Sequence, residues 1–473
     1  MDNIDSGETW RDLYKTGLFG PFVVLSLGIW LHAADSLVTA TISPAIVEDI
    51  GGVAFISWTI LLYQVGAIVA GAAAPIVCQR IGVKRVMGLA AILYGGGCVI
   101  AGLAPVMSVL LIGRLAQGIG GGMLLSLCYL AIQQWFPQSW WSRLFGVVAM
   151  IWGAGSLLGP LIGGVFAGLH TWRMTFFVFA AQAAALCIMA SLWLPSEEPS
   201  QALPQAPSER SARRWSVLPL AALSAACLAI AESSVASRVS ASIFEAGAGA
   251  VFLYVAARLD RSAPARLFPL RVLDFFHPVG AGLLMVFALS VGTTGFWAYG
   301  PLLLKILFGT PPLISGYILA GEALAWSLAT MAVSKAPLSA DRWLIRIGAA
   351  QVAAGAAGFA FAVPAGALAG IVLCTLLQGL GFGLCWPSIV HRMVRFSEKT
   401  ERPLAVTSPE TMQRIGYAVG AAAVGIAANL SGLADGISIA AAKTAAFWVF
   451  AAFVPILLLA LAAAWNFTRE PYE

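Results

Sequence analysis

The chain has 473 residues, of which 60% are hydrophobic and only 10% are charged. Soluble domains carry roughly a quarter charged residues, so this composition excludes an ordinary soluble protein and indicates an all-α integral membrane protein. The net charge of +5 would also suit a nucleic-acid-binding protein, but the placement of the basic residues described below excludes that interpretation. The seven cysteines occur singly. Without a CxxC or Cys/His cluster, we expect no metal site and no disulfide framework.

A helix that crosses a membrane needs about 20 apolar residues. On that rule the sequence predicts about fourteen membrane spans. Their approximate ranges are 18–41, 54–78, 86–104, 107–134, 144–168, 174–195, 215–235, 239–258, 276–300, 311–334, 344–363, 366–390, 407–430 and 441–465.

Most of the 27 lysines and arginines fall in every second connection between these segments or near the two termini. Arg414 is assigned to the connection after the twelfth segment. Because positively charged loops stay in the cytoplasm, we expect a multi-pass protein of a bacterial cytoplasmic (inner) membrane with both termini cytoplasmic. The excess positive charge is then a topology signal, and no nucleic-acid partner is expected.

Two polar breaks divide the chain, at 196–214 and 259–275. They predict a cytoplasmic N-terminus (1–17), a six-helix half (18–195), a linker (196–214), two additional helices (215–258), a second linker (259–275), a second six-helix half (276–466) and a cytoplasmic C-terminus (467–473). The loops QRIGVKR (79–85) and DRWLIRI (341–347) are weakly similar, which favours two related halves. Many transporters place their substrate site between such halves.

The fifth segment contains the stretch GAGSLLGPLIGG. Gly155, Gly159 and Gly163 are spaced by four and share a helix face, on which another helix can approach closely. Pro160 removes a backbone donor and predicts a bend, and Gly164 follows in the same stretch.

Several segments together resemble the major facilitator superfamily, in particular its fourteen-span drug:proton antiporter family. Residues 35–44 (DSLVTATISP) are similar to the LDxTxVNxALP signature, and 114–120 (RLAQGIG) to the RxxQGxG pattern that the family links to proton coupling. Residues 155–164 match GxxxGPxxGG, which marks exporters. The segment 299–316 also resembles a family segment, with Lys305 where Gln is common.

The loop after the second segment resembles the superfamily's DRxGRKR motif through Arg80, Gly82 and Arg85. Gln79 stands where the family has Asp, so the usual cytoplasmic charge network is in doubt. The resemblance implies gating or structural roles for these three residues, for Asp341 in the corresponding loop of the second half, and for the glycines and Pro160 of the fifth segment.

Charged residues inside the membrane are costly and therefore candidates for function. Asp35 and Glu322 are the candidate proton carriers, and Arg114 is expected to need a carboxylate or carbonyl partner and to take part in coupling. His32 lies one turn before Asp35 on the same helix face.

Aromatic and amide side chains within the spans are candidates for a cavity that binds lipophilic ligands. The predicted cavity residues are His32, Tyr63, Gln64, Gln117, Trp152, Trp297, Tyr299 and Trp386.

The sequence therefore predicts a secondary active transporter that exports lipophilic or amphipathic small molecules in exchange for protons, by alternating access of two halves. The alternative is a dedicated exporter of a metabolite, siderophore or lipid. No protease, hydrolase or nucleotide-binding motif indicates an enzyme or an ATP-driven pump. No cofactor beyond the proton is expected. The expected partners are the substrate, protons and membrane lipid, and we expect a functional monomer.

Overall fold

A computed structural model describes residues 10–195, 217–235, 239–263 and 266–469. In lipid every backbone polar group must be satisfied within the chain, which is why the long apolar segments fold as helices. The first helices are α1 (Trp10–Lys15), α2 (Phe19–Ile50), α3 (Ile56–Ile81), α4 (Val83–Gly102), α5 (Met107–Trp135), α6 (Gln138–Gly168) and α7 (Trp172–Trp193).

Two helices follow the first linker, and the second half comes after them. They are α8 (Val217–Val235) and α9 (Val239–Ser262), then α10 (Pro278–Phe308), α11 (Pro312–Val333), α12 (Asp341–Ala362), α13 (Leu368–Phe396), α14 (Arg402–Ala428), α15 (Ile439–Ala451) and α16 (Val454–Thr468). Single 3₁₀ turns lie at Val53–Phe55, Leu338–Ala340 and Lys399–Glu401, and a π-helical turn at Asn429–Leu433 follows α14.

Within the described residues, eleven helical segments are long and apolar enough to cross a membrane, and the bent helix α2 makes a twelfth. They divide into six before residue 195 and six after residue 277, with α15 and α16 forming one span. The predicted pair of six-helix halves is therefore present.

The fourteen-span prediction is not confirmed. Its two additional segments are helical. Within the described residues, α8 contributes a short apolar helix, Leu218–Ser233, and α9 is not among the helices that pass as candidate spans. Helix α8 packs against α9, α3 and α14.

Helix α2 carries the largest bend that the described spans show. Its segments Phe19–Asp35 and Leu37–Ile50 are inclined by 42°, so Asp35 lies at the break. The bend lies between the two prolines of this helix, Pro21 in its first turn and Pro44 in its interior. By contrast, α6 continues through Pro160 without a break.

The glycine face of α6 packs on α2, as the spacing predicted. A Cβ atom at Gly155 would lie 3.2 Å from Ala33 Cβ, and one at Gly159 would lie 3.0 Å from the carbonyl oxygen of Ala34. Gly163 meets α2 further along, where a Cβ would lie 3.2 Å from the oxygen of Val38. These positions hold the two backbones at a distance that any side chain would increase.

The two ends of the helix bundle are named here by the glycines that end helices there. Gly82 (φ 82°) ends α3, and Gly309 (φ 62°) ends α10, both in backbone conformations that favour glycine. The Gly82 end is the one that the sequence predicts to be cytoplasmic.

At the Gly309 end the two halves contact each other. Lys305 Nζ of α10 lies 3.3 Å from Glu48 Oε1 of α2. Asn429 Nδ2, just beyond α14, donates to the carbonyl oxygen of Ala54 over 3.0 Å.

At the Gly82 end, Gln79, Arg80 and Arg85 are exposed. The similar loop of the second half differs in helical register, because Gly82 separates two helices whereas Asp341 is already the first residue of α12. Asp341 is buried, and its Oδ1 lies 3.9 Å from His391 Nδ1.

Candidate functional site

The site begins with the close packing of α5 on α3. Gly118 and Gly122 of α5 lie against the backbone of Tyr63 and Ala67, where a Cβ atom at either glycine would overlap α3. This contact brings the carbonyl oxygen of Thr59 within reach of Arg114 on α5.

Arg114 is 2% exposed, and its Nε and Nη1 both donate to acceptors. Its Nη1 donates to Asp35 Oδ2 over 2.8 Å and to Oδ1 over 3.1 Å. The same nitrogen donates to Gln117 Oε1 over 2.7 Å, and Nε donates to the carbonyl oxygen of Thr59 over 3.2 Å. The sequence predicted a carboxylate or carbonyl partner for this guanidinium, and the structure supplies both.

Two further contacts fix this buried ion pair. The guanidinium carbon of Arg114 lies 4.5 Å from the ring centroid of Tyr63, a cation–π distance. Gln117 donates through Nε2 to Cys98 Sγ over 3.0 Å. Four predicted residues, Asp35, Tyr63, Arg114 and Gln117, are thereby brought into one buried cluster.

A second polar chain runs from this cluster to the other half of the molecule. His32 Nδ1 lies 2.8 Å from Tyr63 Oη, and His32 Nε2 lies 3.2 Å from Arg414 Nη1 of α14. Arg414 Nη2 in turn donates to Glu410 Oε1 over 3.0 Å. Trp152 of α6 packs its ring against His32 at 5.8 Å.

The assignment of Arg414 to a connecting loop was wrong, because α14 starts at Arg402 and places Arg414 well inside the helix. Glu410 was not singled out from the sequence. Its position four residues before Arg414 on an apolar helix was the available signal, since charges inside a span mark function.

In the second half, half-buried aromatic rings surround the remaining candidate carboxylate. The ring centroids of Trp297 and Tyr417 are 5.5 Å apart, as are those of Trp326 and Trp386. Trp326 lies one helical turn after Glu322 on α11, and Glu322 interacts electrostatically with Tyr417.

No hydrogen bond or ion pair of the Glu322 side chain occurs within the described parts of the chain. Glu322 is not brought together with Asp35 and Arg114. Trp326 and Tyr417 belong to these ring pairs. The sequence analysis did not single them out, since aromatic residues in spans are too common to identify a site.

Two predicted cavity residues are packed in the protein interior. Tyr299 is fully buried and Gln64 is 7% exposed. Within the described residues, Gln64 Oε1 has no hydrogen-bond partner, and Tyr299 interacts with Ser57 of α3. Neither residue joins the two clusters described above.

The structure therefore has two helical halves and a buried charged site that is linked to the other half through His32 and Arg414. A family profile identifies the protein family. The profile described as "Major Facilitator Superfamily" matches residues 25–389. The chain belongs to the Major Facilitator Superfamily. It is therefore a membrane transporter and not an enzyme.

Among relatives in this superfamily, a probable multidrug-efflux transporter of Mycobacterium tuberculosis is 30% identical over 449 residues, which is 92% of each chain. Multidrug resistance protein 3 of Bacillus subtilis is 34% identical over 159 residues, covering 33% of this chain and 31% of that protein.

Solved structures of the superfamily share the fold. The xylose transporter XylE from E. coli, in a partially occluded inward-open conformation, has a TM-score of 0.61 at 16% identity and covers 96% of this chain and 99% of that one. The nucleoside transporter NupG (D323A mutant) has a TM-score of 0.66 at 12% identity, covering 94% and 99%. The two-half fold predicted from the sequence is confirmed.

Proposed function

We propose that this transporter exports lipophilic or amphipathic small molecules in exchange for protons, by alternating access of its two halves. The observation that carries the proposal is the buried pair of Asp35 and Arg114 at the bend of α2, since a carboxyl group there can be discharged by a proton whereas a guanidinium cannot. The multidrug-efflux relative of Mycobacterium tuberculosis supports the substrate class.

The energetics of this pair suit a coupling role. At an effective dielectric constant near 20, opposite charges about 4 Å apart attract by about 4 kcal/mol. A proton on Asp35 removes most of that attraction, and a change of about 4 kcal/mol alters a two-state equilibrium by roughly a thousandfold. Protonation of Asp35 then permits the two segments of α2 to move relative to α5.

The aromatic group around Glu322 supplies the proposed binding surface for the substrate. Stacked and tilted rings give a large apolar area, and a carboxylate without a partner among the described residues favours a positively charged group. Lys305 does not favour a transporter of a single substrate, because its ammonium group pairs with Glu48 at the Gly309 end.

The transporter lies in a bacterial cytoplasmic membrane in contact with lipid, the Gly82 end faces the cytoplasm with both termini, and the monomer is the functional unit. Trp152 lines the first-half side of the substrate path, and Trp297 and Trp386 line the second-half side. Tyr63 and Gln117 are buried and support Arg114 instead.

The test is proton-gradient-driven uptake of a cationic dye into inside-out vesicles at matched expression. We expect uptake by the wild type that a protonophore abolishes, loss of uptake in Asp35→Asn, and weaker dye binding in Glu322→Gln. Asp49→Asn is the matched control, since Asp49 pairs with Arg173 at an exposed position, and it should keep wild-type uptake.

Full activity of Asp35→Asn would exclude Asp35 as the proton carrier. Absence of dye movement by folded wild-type protein would instead favour the dedicated exporter of one metabolite, siderophore or lipid.

A further inference from the structure

His32 is a contact point between the two halves whose protonation state the geometry determines. Its Nε2 lies 3.2 Å from Arg414 Nη1, and the side chain is 4% exposed. An arginine has donors only, so Nε2 must be the acceptor and must carry no hydrogen. His32 is therefore neutral in this contact, with its hydrogen on Nδ1, which donates to Tyr63 Oη over 2.8 Å.

The ring is held so that it cannot exchange these partners by turning. Tyr63 stacks on it at 5.6 Å, and Trp152 presents an edge contact at 5.8 Å. Beneath the Nδ1 hydrogen bond lies Gly121 of α5, where a Cβ atom would be 2.8 Å from Tyr63 Oη and 3.1 Å from His32 Nδ1. Packing on several sides leaves the ring one orientation.

Charged and titratable groups face this histidine from its own helix and from the helices packed on it. They are Asp35 of α2, Tyr63 of α3, Arg114 of α5, and Arg414 with Glu410 of α14. Each of the two cations is paired with a carboxylate, Arg114 with Asp35 and Arg414 with Glu410. Of these four groups, the guanidinium of Arg414 is the one that contacts His32 Nε2.

We propose that the hydrogen bond between His32 and Arg414 is a latch that ties α2 to α14 only while His32 is neutral. A proton on Nε2 would point an N–H group at a donor-only guanidinium and place two positive charges in contact. Arg414 then separates from α2 and stays with α14 through its bond to Glu410. Arg414 is thus a positioning residue of the transport cycle that acts through His32.

The latch connects the two elements on which alternating access depends. His32 lies one turn before the bend of α2, and Arg414 lies inside a helix of the other half. The contacts at the Gly309 end hold the halves there, so release at His32 lets the Gly82 ends of α2 and α14 separate. This inference goes beyond the proposed function and is independent of the substrate.

The experiment measures the distance between spin labels on the two helices in the full chain, without substrate. The pH runs from about 8 to about 4.5, a range that includes the charge change of a free histidine and extends well below it. The labels replace Phe19 and Arg402, which are exposed at the starts of α2 and α14. Six of the seven native cysteines are buried, and Cys187→Ser removes the half-buried one.

In the wild-type background we expect short distances at high pH and a growing long-distance population as the pH falls. His32→Gln keeps an acceptor for Arg414 and a donor for Tyr63 without titrating, so it should show the short distance throughout. Arg414→Met should show the long distance throughout. Glu410→Gln and Glu322→Gln are the controls for other carboxylates and should keep the pH response.

A pH-independent distance in the wild-type background would overturn the latch, as would a pH response that survives in His32→Gln. If His32→Gln is not monodisperse, Arg414→Met decides, since a retained pH response there also refutes the proposal. Because the readout is a distance, failure of dye export leaves it unaffected.

Discussion

Removal of the buried carboxylate at the bend of α2 should cost far more than removal of an exposed one. In Asp35→Asn, Arg114 keeps the neutral acceptors Gln117 and Thr59 but loses its counter-charge at a position that is 2% exposed. Breaking a buried pair by removing one partner costs about 3–5 kcal/mol. The same substitution at Asp49, whose side chain is 47% exposed beside Arg173, should cost at most about 1 kcal/mol.

The loss of stability should also depend on which partner of the Asp35–Arg114 pair is replaced. Arg114→Gln leaves a carboxyl group that a proton can discharge, so its cost should be smaller than that of Asp35→Asn, and it should shrink further as the pH falls. The double variant should be more stable than Asp35→Asn alone by about 2 kcal/mol or more, since no unpaired charge remains. Unfolding by increasing SDS in mixed micelles, followed by far-UV circular dichroism, gives these free energies. Equal stabilities for Asp35→Asn and Asp49→Asn would refute the reasoning.

Three further outcomes follow from single contacts. Gly121→Ala should abolish dye export because its Cβ would displace the rings of Tyr63 and His32. Gly153→Ala, where a Cβ would meet nothing within 4 Å, should leave export intact at matched expression. Equal losses of export in the two variants would contradict this prediction. Glu48→Lys or Lys305→Glu alone should raise cysteine labelling of the cavity from the Gly309 end by no more than about fivefold, since such exposed ion pairs contribute at most about 1 kcal/mol. The two changes together should return the labelling rate to that of the wild type, because they restore an ion pair with its charges reversed. Burial lowers the pKa of His277, whose Nδ1 must be unprotonated to cap the first turn of α10. That turn should therefore be protected from hydrogen exchange above about pH 6.5, and the protection should fall as the pH drops through the lowered pKa. A pH-independent exchange rate in the wild type, or the same pH dependence in His277→Asn, would contradict this role of His277.

The spans were predictable because hydropathy over about 20 residues is a strong signal. The two additional segments, α8 and α9, are helical as predicted, and their crossing of the membrane stays a prediction.

The residue types of the site were predictable, but their pairing was not. Asp35 and Arg114 are costly in lipid, which identified both, and only the packing of α5 on α3 and α2 shows that they bond to each other. Arg414 was counted with the basic residues of the preceding loop, although the predicted segment 407–430 already contained it. The bend at Asp35 has no proline at the break, so no residue type there indicated a bend.

The contact between α6 and α11 has a mechanical consequence. A Cβ atom at Gly316 would touch the Pro160 ring at 2.7 Å, and one at Gly164 would touch Leu313 Cα at the same distance. Smooth surfaces of small residues interlock little, and these two contacts break no hydrogen bond when one helix slides along the other. The two halves can therefore rotate about this interface with a low energy barrier, while the polar contacts elsewhere set the end points of the rotation.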